Sequence, residues 1–197
     1  MDKNIEEEVI NPIVPEKEEN TWWELIKFAF LAFIIVVPLR MFVAQPFIVS
    51  GASMYPTFDD KEYLIVDEIS YHLSDPSRGD VAIFRYPKDP SKFFIKRVIG
   101  LPGDTIDIQN GKVTITNTAN PNGLLLNEPY VKNISNETLH KNLSDSEYFV
   151  LGDNRTASSD SRSWGTLQRK LFVGRALLRI LPIAEASFFP GDYRNKQ

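Results

Sequence analysis

The chain has 197 residues, of which 43% are hydrophobic and 24% charged, and its net charge at pH 7 is −4. This length and composition suit one folded domain with a real core and exclude a disordered chain. Residues 1–20 alone carry a net charge of −5, so the remainder has no basic surface suited to nucleic acid. The absence of cysteine excludes disulfides, cysteine-ligated metals and a thiol nucleophile.

The N-terminal part of the chain combines an acidic stretch with an apolar one. Residues 1–21 predict a flexible cytoplasmic tail, and residues 22–43 predict a transmembrane anchor. The uninterrupted apolar run, residues 28–39, is shorter than the roughly 20 residues that a span needs, so Lys27 and Arg40 must snorkel to opposite interfaces. These charges lie at the ends rather than along one face, which argues against a buried amphipathic helix.

A cleavable signal peptide is a second interpretation of this segment. The acidic character of the preceding tail and the bulky Phe42 near a cut after Ala44 both argue against it. We therefore expect an uncleaved anchor in a bilayer. The distribution of lysines and arginines favours the N-terminus inside and residues 44–197 outside, which predicts a single-pass protein of the cell membrane.

Residues 44–197 predict a mostly β domain. Alternating apolar and polar residues bounded by turn residues predict strands at 63–66, 81–86, 93–100, 105–109, 112–116, 147–151 and 172–181. Asn110-Gly111 between two of them is typical of a tight hairpin. Residues 117–146, rich in Asn, Pro, Gly and Ser, predict a loop-rich stretch within an insertion at about 105–148.

Ser53 follows a short apolar strand and stands in a turn that begins with Gly51 and stops at Pro56. Such a turn can lift a hydroxyl off the backbone and leave amide N–H groups facing the same space. A serine in this setting is far more often structural than nucleophilic, so Ser53 by itself decides little.

Lys96 lies within a predicted strand, where side chains alternate between the two faces. It therefore shares a face with Phe94 and Val98, while Arg97 points the other way. Loss of hydration on an apolar face lowers a lysine pKa, and a neutral amine can take a proton from a serine hydroxyl. The alternative is an edge lysine that snorkels its amine into water.

A third segment, residues 152–165, would pass for a solvated loop by its composition. Together with the segments around Ser53 and Lys96 and a short stretch at residues 78–81, it makes four motifs in order along the chain. Together they resemble type I signal peptidases, the membrane-bound serine proteases that remove signal peptides from exported proteins. The matching stretches are Ser53-Met54-Tyr55-Pro56-Thr57, Arg78-Gly79-Asp80-Val81, Lys96-Arg97-Val98-Ile99-Gly100-Leu101-Pro102-Gly103-Asp104, and Gly152-Asp153-Asn154-Arg155 with Ser158, Asp160, Ser161 and Arg162.

The resemblance implies a catalytic β core with a smaller β-rich cap formed by the insertion, preceded by one N-terminal transmembrane helix. It implies a Ser53 nucleophile and a Lys96 general base, with preproteins that bear signal peptides as substrates. It also implies that the hydroxyl of Ser158 orients Lys96. Some members carry a serine at the position of Gly51 as the second oxyanion donor; glycine has no hydroxyl, so a backbone N–H near Gly51 or a water is expected to replace it.

Four charged residues of the third segment are expected to hold its loop through salt bridges rather than perform chemistry: Asp153, Arg155, Asp160 and Arg162. An unpaired carboxylate beside Lys96 would raise the pKa of the amine, so Asp160 is expected to be committed to an arginine. The resemblance also implies shallow substrate pockets that select Ala-x-Ala cleavage sites. The residues expected to line these pockets are Phe47, Val49, Met54, Phe94 and Ile95.

Two other functions fit parts of this pattern. A self-cleaving repressor-type protein shares the Ser–Lys pair but carries a DNA-binding domain, where this chain has an apolar segment. An inactive homologue acting as a chaperone or assembly factor typically lacks the serine or the lysine, and both are present here. The chain has only two histidines, His72 and His140, and they are isolated from each other. This argues against catalysis by histidine and against a metal site, so we expect no metal and no cofactor.

Overall fold

The computed structural model describes residues 21–38 and 45–193. These residues fall into two compact units that divide between Val37 and Pro38. Residues 1–20, nearly all of the expected tail, and residues 39–44, the end of the expected anchor, lie outside the described part of the chain.

The first unit contributes one helix, α1, from Thr21 to Pro38. Its large apolar side chains, including Trp22 and Phe28, are exposed. In the part of the chain that the structure describes, no helix is long and apolar enough to cross a membrane.

The second unit is mostly β. Its strands in chain order are β1 Gln45–Ile48, β2 Tyr63–Asp67, β3 Val81–Tyr86, β4 Asp89–Gly100, β5 Thr105–Gln109, β6 Lys112–Thr116, β7 Leu124–Leu125, β8 Leu139–Asn142, β9 Glu147–Leu151, β10 Leu167–Gln168, β11 Phe172–Leu181 and β12 Ser187–Phe188. Two short α-helices, α2 Ile69–Leu73 and α3 Ser161–Trp164, and 3₁₀ turns at Arg155–Ala157, Arg169–Leu171 and Ile183–Glu185 complete it.

All the strands expected from the alternation of apolar and polar residues are present. This alternation predicts strands well because successive side chains of a strand point to its buried and its exposed face in turn. β4 begins four residues earlier than expected, at Asp89. Residues 117–146 are not loop throughout: the stretch contains β7 and β8, which are only two and four residues long and carry too little alternation to be recognised.

The strands form two sheets. The larger one has the order β1-β2-β11-β3-β4-β9-β10, with β12 paired to β11, and the smaller one has the order β7-β6-β5-β8. The smaller sheet is built from chain between β4 and β9, so it follows directly on the strand that carries Lys96. Asn110 and Gly111 both have positive φ, 49° and 73°, which the tight β5–β6 hairpin requires.

The turn that carries Ser53 sits on the hydrophobic core of the larger sheet. Met54, Phe58 and Leu64 are almost completely buried there and pack in one cluster with residues of β2, β3 and β11. Burying one such side chain contributes about 1.5–3 kcal/mol. This cluster therefore holds the turn that follows β1 against the sheet.

Candidate active site

Ser53, in the turn after β1, and Lys96, on β4, meet in the second unit. The Nζ of Lys96 lies 2.7 Å from the Oγ of Ser53, within hydrogen-bond range, although 43 residues separate them in the chain. The same Nζ donates to the carbonyl oxygen of Ile95 at 2.8 Å. These two contacts direct the amine toward the serine hydroxyl.

The amine of Lys96 is withdrawn from water. The residue is 4% exposed, and the ring of Phe94, on the same face of β4, has its centroid 5.4 Å from Nζ. Burial lowers the pKa of Lys96 to about 8, against an opposing effect of the carboxylates of Asp160 and Asp153. An amine with this pKa is neutral in a useful fraction of molecules near pH 7 to 8.

The turn that presents Ser53 begins at Gly51, whose φ of +88° lies in the left-handed region that favours glycine. The N–H of Gly51 donates to Oδ1 of Asp60 at 2.8 Å. This hydrogen bond closes the turn, so the N–H of Gly51 itself is committed to a carboxylate. The expected second oxyanion donor, another backbone N–H near Gly51 or a water, stays a prediction.

The loop after β9 holds the backbone of the turn that carries Ser53. The N–H of Asn154 donates to the carbonyl oxygen of Ser53 at 3.0 Å, and its side-chain amide donates to the carbonyl of Ala52 at 3.1 Å. A Cβ placed on Gly152 would lie 2.5 Å from the carbonyl oxygen of Ser53 and would also collide with the Oγ of Ser158. Only glycine leaves room for this approach.

The four charged residues of this loop are paired, but only two of them with each other. Arg162 donates to Asp160 from Nε at 2.8 Å, and Asp160 is completely buried. The other two reach different segments: Asp153 pairs with Arg97 on β4 at 2.6 Å, and Arg155 pairs with Glu128 at 2.6 Å. The sequence predicted salt bridges that hold this loop, but it carries no information on which other elements supply the partners.

Ser158 does not make the expected contact with Lys96. Its Oγ is buried next to Gly152 and has no hydrogen-bond partner among the described residues. The Nζ of Lys96 donates to Ser53 and Ile95 instead. Ser158 therefore lies in the site without orienting the amine.

A cavity of about 420 Å³ opens beside Ser53 and Lys96. Of the residues expected to line the substrate pockets, four line this cavity: Phe47, Val49, Phe94 and Ile95. Met54 does not; it is completely buried in the core cluster, because the turn points Ser53 outward and the next side chain inward.

The sequence did not indicate the other residues of the cavity, which are Ile48, Ser50, Leu64, Ile83, Lys92, Phe93 and Ser159. For Ile83 a signal existed, since β3 and β4 are consecutive strands and antiparallel pairing places Ile83 opposite Ile95. The rings of Phe47 and Phe93 meet edge to face at 5.4 Å and narrow the opening.

Neither histidine lines the cavity. His72 contacts the carbonyl oxygen of Glu68, and His140 pairs with Asp107 on the smaller sheet. Both therefore make local contacts away from Ser53 and Lys96.

Comparison with known proteins places this chain in a family. Residues 22–181 match the family described as "Signal peptidase, peptidase S26". The chain belongs to the signal peptidase family. A protein named "Probable signal peptidase I-2" from Synechocystis sp. is 37% identical, over 94% of this chain and 87% of that protein.

Two further signal peptidases are similar to this chain. Signal peptidase IB of Staphylococcus aureus is 32% identical over 91% of this chain and 100% of its own length. A crystal structure of signal peptidase I from Enterococcus faecalis V583 aligns with a TM-score of 0.44 and 29% identity, covering 52% of this chain and 97% of that chain. The family cleaves signal peptides from preproteins, and this chain is a signal peptidase I enzyme, a hydrolase.

Proposed function

We propose that this signal peptidase is a membrane-bound serine endopeptidase in which Ser53 is the nucleophile and the neutral amine of Lys96 is the general base. The observation that carries the proposal is the 2.7 Å approach of Lys96 Nζ to Ser53 Oγ, by a lysine that is only 4% exposed. At this distance the proton can pass directly from Oγ to Nζ. Burial lowers the pKa of the amine, so that a neutral amine is available to act as the base.

The proposed reaction has two stages. Lys96 takes the Oγ proton of Ser53 as Oγ attacks the scissile carbonyl carbon, and the backbone N–H of Ser53 stabilises the oxyanion. The C–N bond then breaks, and the ammonium of Lys96 gives its proton to the leaving amine. In the second stage Lys96 deprotonates a water that attacks the ester carbonyl, and the proton returns to Ser53 Oγ as the acid product leaves.

Two unpaired strand edges support binding of an extended peptide. Among the described residues, β1 ends the larger sheet and pairs with β2 alone. On β4, residues 93–96 pair with β3 on one side, whereas on the other side β9 pairs only with residues 97–100. A substrate strand that hydrogen-bonds to these edges would place alternate side chains in the apolar cavity.

The proposed cleavage-site preference is for small residues of the Ala-x-Ala type. The cavity is lined mainly by aliphatic and aromatic side chains and is narrowed by the Phe47–Phe93 ring pair. We expect an alanine side chain to be accommodated beside these rings, and a leucine or phenylalanine to require displacement of one of them. A series of preprotein-derived peptides with Ala, Leu or Phe at the residue before the cut tests this preference through kcat/KM.

The catalytic pair is tested by substitution in the full chain. We expect Ser53→Ala and Lys96→Ala each to abolish preprotein cleavage while the far-UV spectrum and the melting temperature show a folded protein. Ser158→Ala is expected to be milder, since its hydroxyl does not carry the proton. Lys112→Ala and Ser144→Ala, on exposed parts of the smaller sheet and its connection, serve as matched controls.

Wild-type turnover by Lys96→Ala would refute the base assignment. Inactivation by Ser158→Ala as complete as that by Ser53→Ala would refute the expectation that the Ser158 hydroxyl takes no part in the proton transfer. A folded wild-type chain that cleaves no member of a preprotein panel would instead favour an inactive homologue that assists assembly.

We also propose that the enzyme works at a bilayer, with residues 22–43 as a single anchor and the catalytic domain on the extracytoplasmic face. The end of this anchor, from residue 39 onward, lies outside the described residues. The second unit itself exposes apolar side chains at paired positions of β1, β2 and β11: Ile48, Tyr63 and Leu181. Contiguous exposed apolar surface of this kind is typical of an interaction site.

Deletion of residues 1–40 tests the anchor. We expect the shortened enzyme to cleave short soluble peptides at rates near those of the full chain, and membrane-inserted preproteins much more slowly, because an anchor raises the local concentration of enzyme at the substrate's surface. Equal loss on both substrates would show that the segment is part of the catalytic fold.

A further inference from the structure

Arg97, the residue after Lys96, lies at the centre of a buried set of contacts on the opposite face of β4. Its side chain is completely buried. Nε and one terminal nitrogen donate to the two oxygens of Asp153, at 2.8 and 2.6 Å. The other terminal nitrogen donates to the carbonyl oxygens of Gly79, at 2.9 Å, and of Gly191.

Besides Asp153, Arg97 contacts the end of the described chain, residues 189–193, here called the C-terminal segment. The ring of Tyr193 has its centroid 5.2 Å from the guanidinium carbon of Arg97 and 4.9 Å from the ring of Tyr130, which itself lies 3.9 Å over Arg97. A Cβ on Gly191 would collide with the side chain of Thr57 and would lie 3.3 Å from Arg97. The segment is therefore packed against both the turn that carries Ser53 and β4.

The carboxylate held by Arg97 connects this cluster to Ser53. Oδ2 of Asp153 also accepts the hydroxyl hydrogen of Thr57 at 2.5 Å, four residues after the nucleophile. The next residue, Asn154, donates its N–H to the carbonyl oxygen of Ser53 at 3.0 Å. Displacement of Arg97 would loosen the loop that positions Ser53 and the strand that positions Lys96 at the same time.

We infer that residues 191–193 of the C-terminal segment position the catalytic pair: the Gly191 carbonyl and the Tyr193 ring hold Arg97 on Asp153, and thereby keep Ser53 and Lys96 at attack distance. This inference rests on the proposed function of the pair. Tyr193 and Gly191 are positioning residues, since both act through Arg97. The face of an aromatic ring attracts a buried guanidinium, so the Tyr193 ring stabilises Arg97 in this place.

The same contacts bear on the charge state of the amine. The carboxylates that face Lys96 are Asp160 and Asp153, and both raise its pKa against the effect of burial. Each is neutralised by an arginine, Asp160 by Arg162 and Asp153 by Arg97. A displaced Arg97 would leave Asp153 less neutralised, and Lys96 would hold its proton to higher pH.

The rings of Tyr130 and Tyr193 also lie against the guanidinium of Arg97. Burial keeps the pKa of Tyr130 far above its ordinary value, so this phenol stays neutral throughout the working range of pH. The charge that Lys96 experiences from this cluster is therefore set by how closely Arg97 stays on Asp153.

The test uses the full chain with Tyr193→Ala, Tyr193→Phe and Phe189→Ala. Phe189 is the matched control, because its ring belongs to the same segment but lies over Arg175. For each variant kcat and KM are measured on a soluble peptide across pH, and the pKa of Lys96 is followed by NMR with ¹³C-labelled lysine. Lys96→Arg provides the assignment of the signal.

We expect Tyr193→Ala to lower kcat by about tenfold or more, with KM changed far less, because small displacements of reacting groups cost rate. We expect its Lys96 pKa to rise by about half a unit or more, as the neighbouring carboxylate is uncovered. Tyr193→Phe, which keeps the ring, should restore both values, and Phe189→Ala should match the wild type in both.

Wild-type kcat and Lys96 pKa in Tyr193→Ala would overturn the inference, as would equal changes in Phe189→Ala or failure of Tyr193→Phe to restore them. If Tyr193→Ala is unfolded at the assay temperature, Tyr193→Leu, which keeps bulk without a ring, is judged by the same criteria. A folded wild-type chain without peptidase activity would refute the proposed function, whereas the NMR comparison would still decide whether Tyr193 acts on Lys96.

Discussion

Arg162 lies two residues after Asp160 and donates to both oxygens of its carboxylate, from Nε to Oδ1 and from a terminal nitrogen to Oδ2, each at 2.8 Å. Asp160 is completely buried and is the strongest of the charges that raise the pKa of Lys96. Lys96 can therefore lose its proton near neutral pH only if the charge of this carboxylate is neutralised.

Loss of the arginine should change the pH at which the enzyme works. We expect Arg162→Ala to raise the pKa of Lys96 and to shift the rise of kcat/KM to higher pH, because the Asp160 carboxylate then lacks its cation. The pH profile of kcat/KM on a soluble peptide measures the shift. Glu137→Gln is the control: Glu137 is the exposed second partner of Arg162, and its loss leaves the Asp160 pair intact. An unshifted profile in Arg162→Ala would contradict the argument.

The wild-type pH profile follows from the direction of the Lys96 shift. Burial lowers the pKa of this amine from 10.5 to about 8, and the neutral form is the proposed base. The value of kcat/KM should therefore rise with pH below about 8 and level off above it, since the neutral fraction saturates. Stopped assays from pH 6 to 11 measure it. A rate that still climbs between pH 10 and 11 would indicate an ordinary solvated lysine.

The same burial should reduce the stability of the fold. Below pH 8 the folded protein holds a charged amine in an apolar setting, and the unfolded chain does not, so the free energy of unfolding should increase as pH rises from about 8 to 10.5. A pKa lowered from 10.5 to about 8 corresponds to about 3 kcal/mol. We expect Lys96→Met to remove this pH dependence and to raise stability at pH 7.

Urea unfolding at pH 7 and pH 10 measures this effect. Lys112→Met, on an exposed position of β6, is the control and should leave the wild-type pH dependence in place. A Lys96→Met protein that is less stable than wild type at both pH values would show that the amine contributes more through its hydrogen bonds to Ser53 and Ile95 than burial costs.

Gly152→Ala should inactivate the enzyme without unfolding it. Its Cβ would meet the carbonyl oxygen of Ser53 at 2.5 Å, and backbone atoms cannot yield without moving Ser53, the proposed nucleophile. A displacement of about 1 Å at the reacting groups lowers the rate by about 10²-fold, so kcat should fall by that order while KM changes less. Steady-state kinetics and the melting temperature are measured together.

Gly174→Ala separates this effect from general crowding. A Cβ there would also lie 2.5 Å from a backbone oxygen, that of Asp67, but in the sheet rather than at Ser53. We expect it to lower the melting temperature while kcat per folded molecule stays near wild type. Comparable loss of kcat in both variants would refute the positional argument for Gly152.

The sequence by itself determined the mostly β character of the domain, because alternation and turn residues are local properties. Asn110-Gly111 specified its hairpin since both residues tolerate positive φ, and alternation along β4 placed Lys96 and Arg97 on opposite faces. The motif residues Ser53 and Lys96 could also be recognised from the sequence alone, as could the commitment of Asp160 to an arginine.

Only the tertiary structure decided which residues from distant segments meet. Asp153 pairs with Arg97, 56 residues away, and Arg155 with Glu128, 27 residues away; the sequence predicted salt bridges at these residues but not these partners. Met54 is buried in the core and does not line the cavity, contrary to the prediction. The reason is physical: periodicity reports which face of an element is buried, while the partner of a buried charge depends on how separate elements pack.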